Sequence, residues 1–104
     1  LLNRYNLKKR NYQYYIEHPK KHYQDNLQIL RLDWNQINRI EHMAFAGLDT
    51  LRGMDLSWNQ INIIEDGAFA GLDSLRGVNL RGNPVTCADA HAAGLPQSVE
   101  CQGY

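Results

Sequence analysis

Apolar residues recur in this chain on two spacings, and the whole arrangement returns every 24 residues. Leu27, Leu30 and Leu32 are followed by Leu51, Met54 and Leu56, and then by Leu75, Val78 and Leu80. The close of each set, one apolar residue on either side of a variable one, is the alternation of a strand with one buried face. Three residues past each set stands an asparagine: Asn35, Asn59 and Asn83. A buried turn has backbone groups that need partners, and an amide both donates and accepts. A stacked Asn is therefore predicted to serve the turns above and below it. Ile37, Ile40, Ala44, Phe45 and Leu48 fill the return arm, and Ile61, Ile64, Ala68, Phe69 and Leu72 repeat them. Gly47 and Gly71 are placed to turn the chain back into the next strand.

The repetition is close in detail. Residues 27–50 read LQILRLDWNQINRIEHMAFAGLDT and residues 51–74 read LRGMDLSWNQINIIEDGAFAGLDS, agreeing at 15 of 24 positions. A fixed period of this length predicts units that each bury an apolar face against the next.

The shared pattern resembles the leucine-rich repeat family in its 24-residue extracellular form, L-x-x-L-x-L-x-x-N-x-I-x-x-I-x-x-x-A-F-x-x-L-x-x, over residues 27–83. That resemblance implies an α/β solenoid. A curved parallel sheet would form the concave face, with short helical or extended turns on the convex side. It also implies a C-terminal cap, because Asn83-Pro84-Val85-Thr86-Cys87 matches the opening of the family's disulfide-bonded cap. The usual cap has four cysteines and a tryptophan; this one has two cysteines and no tryptophan. The implied bridge is Cys87–Cys101, worth about 3 kcal/mol for a loop of this size in the chain-entropy model, and it belongs to an oxidising compartment. The competing reading is two buried free thiols in a cytosolic protein. Ala88 to Ala93 is predicted to form a short cap helix, ended by Gly94 and Pro96. Ser98-Val99-Glu100-Cys101 is expected to lie against the open end of the core.

The 104 residues are read as a single domain: a degenerate N-terminal repeat or cap at 1–26, repeats at 27–50 and 51–74, and a last strand with its cap at 75–104. The first segment fits least well. Leu2-Asn3-Arg4-Tyr5-Asn6-Leu7 suits the strand pattern, yet Asn11 and Ile16 come one place late. An unrelated helical or disordered lead-in is the other reading, and Pro19 opposes one long helix through it.

Net charge is zero but divided. Residues 1–26 carry six basic against two acidic residues, and residues 27–104 carry five against nine. The split would suit an oriented partner or head-to-tail self-association near the N-terminal end, or merely two solvated faces. Nucleic-acid binding through the basic, Tyr-rich residues 4–23 is a minor alternative, and the acidic remainder opposes it. No stretch reaches the roughly 18 apolar residues of a membrane span. There is no initiating Met and no secretory leader pattern, which says little about address. Asn-x-Ser/Thr sequons are absent, so every face is open to contact if the protein is secreted.

Catalytic arrangements are missing from the sequence: no nucleophile elbow, phosphate loop or zinc-protease motif occurs. His18 and His22 flank Pro19, which spoils the helix that would align them on a metal. Neither an enzyme nor a metal or cofactor is expected.

Alternation along the strands assigns the concave rows. Arg4, Ile29, Gly53 and Gly77 form the first, and Asn6, Arg31, Asp55 and Asn79 the second. Lys8, Asp33, Ser57 and Arg81 follow, with Lys9, Trp34, Trp58 and Gly82 at the rim. Parallel strands lie roughly 5 Å apart, so Trp34 and Trp58 are predicted to be neighbours. Arg31, Asp33, Trp34, Asp55, Ser57, Trp58, Asn79 and Arg81 are the expected contact residues for a protein or glycan ligand. The plainer reading gives each Trp the job of shielding its Asn turn. The function expected is a non-catalytic recognition module, extracellular or at the cell surface, secreted or periplasmic in a bacterium. The alternative is a structural, self-assembling repeat protein or the tail of a longer receptor-like array.

Overall fold

The computed structural model describes residues 27–103; the readings of residues 1–26 lie outside them. Among the described residues six strands and one helix follow in order: β1 (Ile29–Arg31), β2 (Arg39–Ile40), β3 (Gly53–Asp55), β4 (Ile63–Ile64), β5 (Gly77–Asn79), α1 (Cys87–Ala92) and β6 (Glu100–Gln102). The first, third and fifth strands pair in parallel, with Leu30 opposite Met54 and Met54 opposite Val78. The register thus steps by the 24-residue period of the sequence. In each of these strands the middle residue is buried and its two neighbours point outward. A separate two-stranded parallel sheet sets Arg39 opposite Ile63 and Ile40 opposite Ile64. One apolar cluster joins the inward positions of both sheets. Within it the Phe45 and Phe69 rings stack at 6.3 Å and 17°.

The asparagines hold the copies together. The Asn59 amide donates to the carbonyls of Leu56 and Ser57 in its own turn, at 2.9 and 3.2 Å, and to Leu32 of the preceding copy at 2.9 Å. Its Oδ1 accepts from the Ile37 backbone N–H at 3.1 Å. Asn83 does the same one period on, accepting from Ile61 N–H at 3.0 Å and donating to Leu56 and Leu80 carbonyls at 2.9 and 3.0 Å. Each amide thus serves backbone groups of two successive copies, and a turn that would otherwise bury unpaired polar groups is satisfied. Gly47 and Gly71 take left-handed φ values of 94° and 84°, the turn predicted for them.

The cap helix begins one residue earlier than the sequence suggests. Thr86 is its N-cap: its Oγ1 accepts from Asp89 N–H, and the Asp89 carboxylate accepts from Thr86 N–H at 2.8 Å. Such a reciprocal pair contributes about 1 kcal/mol. Cys87 and Cys101 are bonded to each other. The last segment also differs from expectation. Rather than only lying against the end of the core, Glu100–Gln102 joins the main sheet as a fourth parallel strand, Cys101 opposite Val78. Glu100 N–H donates to Arg76 O and Leu80 N–H to Gln102 O, both at 2.8 Å. The edge of β5 is thereby paired rather than left open. Among the described residues no helix is long and apolar enough to cross a membrane.

Candidate functional site

The outward positions of the four-stranded sheet form two columns. The first runs Ile29, Gly53, Gly77, Glu100, and the second Arg31, Asp55, Asn79, Gln102. Together they line an open groove of about 280 Å³. Glu100 and Gln102 were not among the expected contact residues. Their signal was present in Glu100-Cys101-Gln102, where Cys101 takes the inward place of a strand, but three residues are too short to stand out from a loop.

The second column is built by the turn that follows each strand. Asp55 Oδ1 accepts from the Ser57 N–H at 3.0 Å and its hydroxyl at 2.6 Å, and Asn79 Oδ1 accepts from Arg81 N–H at 3.0 Å. A short polar side chain two residues before the turn thus satisfies the turn's own backbone. In the first copy the pairing is reversed in sign. The Arg31 guanidinium donates to both Asp33 oxygens, at 3.3 and 3.1 Å, and lies 3.9 Å from Asp55. The hydrogen bonds to Asp33, then its charge, raise the Arg31 pKa above the ordinary guanidinium value.

These bonds correct one expectation. Asp33 and Ser57 were placed on an exposed row, yet they are only 6% and 5% exposed. They are turned into the sheet margin by the bonds to Arg31 and Asp55, and so offer little contact area. Arg81, the third member of that row, is exposed.

At the rim, Trp34 and Trp58 stack with ring centroids 5.2 Å apart and planes 14° from parallel. They remain 69% and 44% exposed. Both have left-handed backbones, φ 58° and 57°, and Gly82 occupies the same place in the third copy at φ 75°. Trp58 lies over Gly82 so closely that a Cβ there would collide with the indole ring.

A second cluster lies on β2, β4 and the turns that follow them. Glu65 accepts from Arg39 Nε at 2.8 Å and from the His42 backbone N–H at 3.0 Å, and the His42 ring donates from Nδ1 to Asp66 O at 2.8 Å. The His42 backbone bond, then Arg39, holds the Glu65 carboxyl below its ordinary 4.5. A depressed carboxyl stabilises the fold above its unfolded value, and that gain is lost as the pH falls through the folded value. Glu65→Gln is therefore expected to flatten the melting temperature against pH below about 4.5 and leave its neutral-pH shape unchanged, as calorimetry across that range would show. Among the described residues no three His, Cys, Asp or Glu side chains gather where a metal ion would be held.

The family model described as leucine rich repeat matches residues 25–85, more than half of the chain. No curated protein matches it.

Proposed function

The chain belongs to the leucine-rich repeat family, and we propose that it is a non-catalytic module that recognises another protein through the outward, concave face of its sheet and the Trp34–Trp58 rim. Domains of this family commonly mediate protein–protein interaction and are generally non-catalytic. The copies at 27–50, 51–74 and 75–104 are read as one solenoid domain with its cap.

The observation that carries the reading is the backbone beneath the tryptophans. A left-handed φ costs a side-chain-bearing residue roughly 1–2 kcal/mol, and glycine escapes it. Gly82 shows that glycine suits this turn. Two large aromatic residues on the same backbone, Trp34 mostly exposed and Trp58 partly so, support a role for their rings in contact with a partner. Exposed Trp at the edge of a sheet face, beside the exposed Arg81 and the Asn79 column, has the composition of an interface hot spot. The Cys87–Cys101 bond is compatible with an oxidising compartment and supports a location outside the cell or on its surface.

Trp58→Gly tests this without introducing backbone strain. Partner proteins captured from secreted material by the unaltered chain are expected to bind the variant at least about tenfold more weakly, the effect of losing a hot-spot ring. Its melting temperature should move by only a few degrees. Retained binding with a collapsed melting temperature would assign the ring to shielding the Asn59 turn instead. Thiol labelling of protein taken directly from its source, without reduction, checks the compartment: reactive Cys87 and Cys101 would place it in a reducing one.

A further inference from the structure

The first column of the sheet face carries a feature that the fold does not require. Gly53 and Gly77 are the first residues of β3 and β5, and neither takes a left-handed φ. Glycine there weakens a strand, and no turn asks for it. Space does not ask for it at Gly77, where a Cβ would meet nothing nearer than Glu100 O at 3.8 Å; one on Gly53 would press on the Ile29 Cδ1 at 3.0 Å, and the tip of that side chain would have to give. Two glycines side by side leave bare main chain between Ile29 and Glu100, as where another backbone approaches closely. The trough crosses four strands, three spacings of about 4.8 Å, or some 14 Å, the reach of about four extended residues.

Its charge is lopsided. It is lined by one guanidinium, Arg31, and two carboxylates, Asp55 and Glu100. Arg31 already donates to Asp33 and lies beside Asp55, whereas Glu100 is exposed at the far end. Arg52 and Arg76, which precede the glycines, do not line the groove.

The geometry points to an extended peptide segment of the partner lying across Gly53 and Gly77, with a lysine or arginine side chain against Glu100. This rests on the recognition reading above and names the part of the partner that the sheet face takes. The glycine floor offers CH surface and no side-chain hydrogen-bonding groups, which suits a close-lying main chain and a single anchoring cation.

Amide NMR of the labelled chain tests it with two end-blocked tetrapeptides, one of three alanines and an arginine, the other with glutamate in place of arginine. The arginine peptide at millimolar concentration is expected to shift the Gly53, Gly77 and Glu100 amides, and the glutamate peptide is not. Gly77→Val, which fills the trough with a better strand former, should weaken that binding at least tenfold without lowering the melting temperature. Glu100→Gln should erase the preference for arginine. No shifts at these amides, or equal shifts with both peptides, would overturn the proposal. Shifts at the same amides on concentrating the protein alone would put a second copy in the trough and overturn it too. If the captured partner binds Gly77→Val normally but loses Trp58→Gly, the recognition reading stands and the trough fails. If it binds both normally, the recognition reading fails.

Discussion

Asn59→Ala is expected to lower the unfolding free energy by about 3–5 kcal/mol, the largest loss for any polar residue among those described. Four bonds vanish with the amide: those to the Leu32, Leu56 and Ser57 carbonyls, and that from the Ile37 N–H. Ile37 and Asn59 are both buried, so water does not replace them without opening the turn. Leaving a buried backbone donor or acceptor unpaired costs about 1–3 kcal/mol, and several are orphaned together here. For a domain of this size each kcal/mol lowers the melting temperature by roughly 4–8 °C, so a fall of about 12 °C or more is anticipated. Denaturant titration would give the free energy directly. A loss below about 1 kcal/mol would mean that the amide is not what ties one copy to the next.

Phe45→Ala is expected to cost about 3–5 kcal/mol, as deletion of a fully buried ring usually does. The cavity would open in the middle of the apolar cluster, where Leu48 and Leu51 are themselves fully buried and close-packed interiors collapse poorly around a void. Part of that cost belongs to the stack with Phe69. A double-mutant cycle with Phe69→Ala should show a coupling of about 0.5–1.5 kcal/mol, beyond the burial of either ring alone. Strict additivity of the two substitutions would say that the rings do not support each other across successive copies.

Both effects come from residues that the sequence displays openly. Asn59 and Phe45 recur at a fixed step, and the parallel register steps by the same interval from Ile29 to Gly53 to Gly77. The closeness of Trp34 to Trp58 followed from strand spacing alone. The Cys87–Cys101 bond was implied by family resemblance rather than by anything local. What the sequence concealed is how a turn orients a side chain once the strand ends. Alternation gave Asp33 and Ser57 an outward place. Their burial depends on hydrogen bonds to Arg31 and Asp55 that form only after the backbone has curled. The fourth strand was hidden because a three-residue segment has no periodicity to detect, and Cys101 does double service as core residue and bridge. The left-handed backbone under Trp34 and Trp58 did have a signal: Gly82 stands in their column, and a glycine among larger residues at one repeat position marks a backbone that favours it.

The chain contains two tryptophans, and both are at the proposed rim. Labelling with 5-fluorotryptophan therefore gives a fluorine spectrum of that site and nothing else, whatever tryptophans a partner brings. On adding a captured partner to saturation, both resonances should shift and lose their sensitivity to exchange of light for heavy water. A saturated complex in which both tryptophans keep their free positions and full solvent sensitivity would contradict recognition through this face.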